Sequence, residues 1–275
     1  MRRLRLAILA LGLLPVSPPT IAAQPLSAAV LPNSRSVQVG TAPATAFATI
    51  INSGGFPALG CSIQSLAGVP VQFTYQTTDP STNQPVGTPN TPANISAGGA
   101  QTFVISLRPL ASFPPVDVGF KFICGNTTQA PVISGVNTLL LSASPNPVLD
   151  VVALAATLGN TGTVVVPAVN TFGAFAVATV NVGAAGPVMV SADTGGTPLP
   201  VITLLCQTDT NGQCVTGVGP SLFGAMGAGS TFAFGVFAFA SAPVAFNPAA
   251  NRVFVRFTDA AGVVRGATSV AVRTP

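Results

Sequence analysis

Six aspartates and four cysteines are the side chains that most directly invite chemistry. The acids are Asp79, Asp117, Asp150, Asp193, Asp209 and Asp259; the 275-residue chain has no Glu and no His. Without imidazole, a Ser–His–Asp or Cys–His relay cannot be built, and histidine-ligated zinc is excluded. Paired carboxylates can hydrolyse glycosides, so an Asp-dependent secreted hydrolase is the enzymatic alternative. Asp79 and Asp209, however, sit in polar segments at corresponding places in the chain. Aspartate there caps a turn by accepting from its own backbone. The segment 209–212 echoes a calcium loop but lacks the further acids and the closing Glu. The Gly-rich segment 224–229 has no Lys and no Ser/Thr in the P-loop arrangement. No cofactor, metal or catalytic residue is therefore expected.

Cys61, Cys124, Cys206 and Cys214 form no CxxC motif. An even count in an exported chain implies disulfides, with three connectivities open. Cys61 and Cys124 fall on candidate strands whose separation suits a bridge between two sheets, worth roughly 4 kcal/mol by loop entropy. Cys206 and Cys214 flank a short stretch containing Asn211-Gly212, a hairpin signal. They would staple neighbouring strands for about 2.6 kcal/mol.

Export is read from residues 1–23. Arg2, Arg3 and Arg5 precede the apolar run 6–16, and Ala22-Ala23 ends the segment. This is the pattern of a secretory signal peptide. The run is shorter than the ~20 residues a spanning helix needs, so no membrane span remains after cleavage. Of ten basic residues three lie in this segment, leaving seven against six Asp. The remaining bases are dispersed, which gives nucleic acid nothing to bind. Only 6% of residues are charged, against ~25% in ordinary soluble domains. Such a neutral surface favours contact with a protein partner, or self-association, over electrostatic steering. The expected location is the periplasm or cell surface.

Self-comparison shows an internal repeat. Asn33–Val39 resembles Asn160–Val166; Ile51-Asn52-Ser53-Gly54 resembles Val180-Asn181-Val182-Gly183; Thr78-Asp79 resembles Thr208-Asp209. Thr102-Phe103 is matched with Thr231-Phe232, and 118–122 with 253–257. The repeat predicts two units, 24–150 and 151–275. In the first, strands are expected at 36–40, 46–52, 60–65, 71–76, 101–107, 118–124 and 137–143. They are rich in Val, Ile, Thr and Phe and punctuated by Gly, Pro and Asn. The fold class is all-β: two tandem immunoglobulin-like β-sandwiches. The high mean hydropathy also invites an outer-membrane β-barrel, although one Tyr and no Trp give no aromatic girdle.

The run Phe-Ala-Thr-Ile-Ile-Asn-Ser-Gly (47–54), followed by Gly-Ala-Gln-Thr-Phe-Val-Ile-Ser-Leu-Arg-Pro (99–109), resembles tandem bacterial immunoglobulin-like modules of the Hydin-type and major-sperm-protein-like group. That resemblance implies a scaffold or binding module and carries over no functional residues. The second copy departs from it, since no Pro directly follows 232–240.

The segment 231–240 is unusual. Phe232 and Phe234 fall on one face and Phe237 and Phe239 on the other. Either Phe237 and Phe239 mark an interface, or a bulge near Gly235 turns all four inward. The expected function is a non-enzymatic structural or interaction protein that meets its partner through strand edges and loops.

Overall fold

The computed structural model describes residues 25–66 and 68–275; the expected signal peptide lies outside them. Nine strands precede Asp150 and nine follow it. They are β1 (Leu26–Leu31), β2 (Ser34–Gln38), β3 (Ala44–Asn52), β4 (Ala58–Ser65), β5 (Val71–Thr77), β6 (Ala93–Ile95), β7 (Ala100–Pro109), β8 (Phe113–Ile123) and β9 (Thr138–Ser144). Then come β10 (Val151–Ala156), β11 (Thr163–Val165), β12 (Phe172–Asn181), β13 (Gly186–Asp193), β14 (Val201–Thr208), β15 (Ser221–Met226), β16 (Thr231–Ala240), β17 (Arg252–Asp259) and β18 (Val264–Arg273).

The strands form four open sheets rather than a closed barrel. The orders are β1-β3-β7-β5 with β2-β9-β8-β4-β6, and β10-β12-β16-β14 with β11-β18-β17-β13-β15. The second pair of orders is the first with nine added to every strand number. Even the parallel pairings recur, β2 with β9 and β11 with β18. Each pair of sheets closes over its own apolar cluster. One is built on Phe103, Phe120, Phe122, Ile63 and Leu141; the other on Leu205, Val236, Phe257 and Val255. Tyr75 is buried against the first, edge-on to Phe103. Strand alternation explains the choice of side chains: in β7, Phe103, Ile105 and Leu107 are buried while their neighbours are not.

The register corrects one expected match. Asn52 and Asn181 both end the strand next to the edge, and Ile51 opposite Ala100 corresponds to Val180 opposite Thr231. Phe103 therefore corresponds to Phe234, two residues beyond the expected Phe232. The slip is even, so it leaves each residue on the same face. Strands β1 and β6 were not anticipated.

Asn52 and Asn181 are the anchors of the repeat. Both are fully buried. The Asn52 amide donates to the carbonyls of Phe56, Ile95 and Ser96, and its oxygen accepts from Gly54 N–H. The Asn181 amide donates to Ala184, Met226 and Gly227 carbonyls, and its oxygen accepts from Gly183 N–H. The Asn-x-Gly spacing is thus what one buried amide needs to tie a strand end to two loops.

The halves meet chiefly through β2 and β9 against β10 and β18. Asp150 lies just before β10 and is almost wholly buried. Its carboxylate accepts from the Arg35 guanidinium at 2.9 and 3.0 Å and from Ser36 N–H at 2.8 Å. Its own N–H donates to Asn181 Oδ1. Ser34 Oγ donates to Ala267 O and accepts from Ala267 N–H, and Ser269 Oγ donates to Gly135 O.

Candidate functional site

The acids do not converge. Asp79 Oδ1 accepts from Ser81 N–H, Ser81 Oγ and Thr82 N–H, and these hydrogen bonds hold its carboxyl below the ordinary value. Asp209 Oδ1 accepts from Asn211 and Gln213 N–H. Both are turn caps, one in each half. Asp193 pairs with Arg256 and Asp259 with Arg265. Burial works to raise the Asp259 carboxyl, but the hydrogen bonds from Arg265 and from Val263 N–H outweigh it and leave it below its ordinary range. At Asp150 burial prevails: it pushes the carboxyl above its ordinary value, while Arg35 and Ser36 N–H pull the other way. Asp117 is exposed on β8. Among the described residues no cluster of three or more His, Cys, Asp or Glu side chains is placed to hold a metal.

Cys61 is bonded to Cys124 and Cys206 to Cys214. The first bridge does not span two sheets, as the spacing suggested. β4 and β8 are neighbours in one sheet, with Ser62 opposite Ile123, so the bridge joins adjacent strands. The second holds the return segment 213–219 against β14. There Thr208 bridges Cys214 and Leu205 bridges Gly219. Val215 N–H donates to Gln207 O. In the first half, β5 is covered the same way: Thr78 bridges Pro85, Val86 N–H donates to Thr77 O and Asn90 N–H to Tyr75 O. These two edges, where a partner strand was expected to add, are occupied by the chain itself.

What is left open is a face. β16 pairs without a register shift through Gly235, with Ala176 and Cys206 opposite it. There is no bulge there. Phe234, Val236, Ala238 and Ala240 point into the core, while Ala233, Gly235, Phe237 and Phe239 point out. Across β12, β16 and β14 the outward-facing positions stand in rows: Phe172–Phe239–Ile202, Ala174–Phe237–Leu204, Ala176–Gly235–Cys206, Ala178–Ala233–Thr208; Cys206 is fully buried by its bridge, and its sulfur and the Phe237 ring flank Gly235. β10 adds Val152, Leu154 and Ala156 beside Val180, Ala178 and Ala176. Phe172 and Phe239 pack ring on ring at 5.1 Å. Phe172 is 53% exposed, Ile202 58% and Leu154 47%. No charged side chain interrupts these rows.

The first half serves as an internal control. Pairing places Ser106 where the second half has Phe237, Arg108 where it has Phe239, and Thr102 where it has Ala233. Gln72 and Thr74 stand where Ile202 and Leu204 stand, and Thr45 and Thr49 where Ala174 and Ala178 stand. One topology thus carries a mixed outer face in the first copy, where Thr, Ser, Gln and Arg108 stand among the exposed Phe47, Ile51 and Leu31, and an apolar one without charge in the other. Core packing does not require the difference, because these positions face away from both clusters. Period-2 alternation picks out Phe237 and Phe239 in the sequence. The alanines and Ile202 join them only through register.

No family model matches the chain, and no curated protein matches it. Among solved structures it is similar to the major pilin subunit BcpA of Bacillus cereus, at 9% identity over 90% of this chain and 69% of that chain, TM-score 0.27. The C-terminal domain of the antigen I/II polypeptide BspA from Streptococcus agalactiae aligns at 14% identity over 91% of this chain and 100% of that one, TM-score 0.25. A family 123 glycoside hydrolase from Clostridium perfringens aligns at 8% identity over 51% of this chain, TM-score 0.31; the chain spans only 30% of that enzyme.

Proposed function

We propose that this chain is an exported, non-enzymatic structural or interaction protein of the periplasm or cell surface. In this reading residues 1–23 direct export and are removed, and 24–150 and 151–275 are two units of the Hydin-type sandwich group. The second unit makes the contact through its outward face, with Phe237 and Phe239 in the interface.

One observation carries the reading: Arg108, Ser106, Gln72, Thr74 and Thr102 break up the outer face of the first copy, and Phe239, Phe237, Ile202, Leu204 and Ala233 stand in their places in the second. Several others support it. Two disulfides suit an oxidising compartment. Five of the six acids are spent on turns and ion pairs.

The test uses the mature chain and its F237S/F239S variant with a dye that fluoresces on exposed apolar surface. At a dilution where the chain is monomeric, it is expected to bind the dye strongly and the variant weakly, with unchanged melting temperature. Equal binding by both would remove the face from the reading.

A further inference from the structure

We infer that the occupant of the apolar face is a second copy of this chain, packed face to face about a two-fold axis. The inference rests on the reading above and specifies its partner.

Three features select a copy of the chain itself. The first is steric. The outward rows are graded along the strands, from Phe172–Phe239–Ile202 and Phe237–Leu204 at one end to Ala178–Ala233 and Val180–Thr231 at the other. The row Ala176–Gly235 lies between. An axis parallel to the sheet, perpendicular to the strands and passing over Ala176 and Gly235 exchanges the ends. The bulky rows of one copy then lie over the small rows of the other. β10 stops at Ala156, beside Ala176, so no β10 residue stands next to Ala174; the axis brings Leu154 of the other copy over that empty corner. A surface that fits itself after such a rotation is what an isologous dimer requires, and sheets stacked this way pack about 10 Å apart.

The second feature is charge. The rows contain none, so two identical faces meet without repulsion and without burying an unpaired ion. The third is area. Four strands about 4.8 Å apart and about nine residues long cover roughly 600 Å², near the lower limit of a stable interface, ~1,200 Å² in total. Growth beyond the dimer by strand addition at β14 is blocked by the 213–219 segment.

The experiment is sedimentation equilibrium of the oxidised mature chain from low to high micromolar, together with a cross-link. Ala176→Cys puts a thiol beside the axis, where it meets its symmetry mate. A short bis-maleimide is expected to join most of the A176C protein into covalent dimers. Thr45→Cys, at the position equivalent to Ala174 in the first half, is expected to give no covalent dimer. Ala176→Arg places two like charges face to face and is expected to abolish the dimer while leaving the circular dichroism of the folded chain unchanged; F237S/F239S is expected to do the same. A mature chain that stays monomeric at high micromolar overturns the second copy as occupant. Should it still bind dye through Phe237 and Phe239, the wider contact reading survives. A dimer that persists in both A176R and F237S/F239S also overturns the inference, because it uses another surface.

Discussion

The Arg35 guanidinium grips the Asp150 carboxylate at the junction of the two units, Nη2 to Oδ2 at 2.9 Å, with the two side chains 14% and 5% exposed. Arg35 also donates to Thr45 O, so one cation ties the junction residue to two strands of the first unit. Breaking a buried pair by deleting one partner leaves the other charge without compensation, typically costing 3–5 kcal/mol. Asp150→Ala is expected to lower stability by about that amount. Replacing both residues, as R35M/D150L, should cost less than Asp150→Ala alone. A double-mutant cycle by urea unfolding, completed with R35M and D150L, checks both; a double-variant loss equal to the sum of the two single losses would show that the pair is uncoupled.

The buried amides of Asn52 and Asn181 should be equally irreplaceable. Each satisfies three carbonyls and at least one N–H, and a buried polar group stripped of its partner costs about 1–3 kcal/mol. Asn52→Ala and Asn181→Ala are expected to destabilise by about 2–4 kcal/mol each. Asn181→Ala should cost more, because Asp150 N–H also donates to it. Thermal melting of the two variants reads the order directly.

Much of this architecture was legible in the sequence, and the parts that were not share a cause. Strands such as β3 and β7 announced themselves by alternation of apolar and polar residues. β1 did not, because Leu26–Leu31 reads Leu-Ser-Ala-Ala-Val-Leu directly after the leader, and β6 is three residues long. The Asn-x-Gly repeat was visible as a pattern, but its purpose emerges only from the carbonyls it collects. Arg35 and Asp150 are 115 residues apart, and nothing local pairs them. The apolar face is built largely from Ala174, Ala176, Ala178 and Ala233, residues with weak strand preference. They become a surface only when four strands fall into register.

Gly183 is demanded by close approach rather than by a left-handed backbone. A Cβ there would run into Val148 O, Asp150 N and Asp150 Cβ. Gly224, on edge strand β15, has open space around its Cβ position. Gly183→Ala is therefore expected to destabilise by about 2 kcal/mol or more through displacement of the Asp150 segment. Gly224→Ala is expected to be neutral or to stabilise by about 0.5–1 kcal/mol. Calorimetry on the pair gives opposite signs if the close approach is real.

Removing the Cys206–Cys214 bridge should do more than lower stability. The short loop it closes is worth about 2–3 kcal/mol, and the segment it holds covers the free edge of β14. With that edge released, its N–H and C=O groups become a template for another chain. C206S/C214S is expected to melt lower and to form thioflavin-positive aggregates on prolonged warming. C61S/C124S should only melt lower, because its bridge joins two interior strands of one sheet. Aggregation in the second variant and not the first would refute the role given to the 213–219 segment.

The Asp259–Arg265 pair predicts an acid limb of instability with a defined direction. The folded carboxyl lies below the ordinary value of 3.8, so the folded state binds this proton less readily than the unfolded chain. Its contribution is fully present above the ordinary value. It is lost as pH falls through 3.8 and then through the lowered folded value. Asp259→Asn cannot titrate and lacks this dependence. The native chain should melt above D259N at neutral pH, and the gap should narrow only below about pH 4. Asp79 shifts the same way and Asp150 the opposite way, but both are common to the two proteins and cancel in the difference. A gap that stays constant from neutral pH down to pH 2 would mean that Asp259 supports β17 and β18 through packing rather than through its charge.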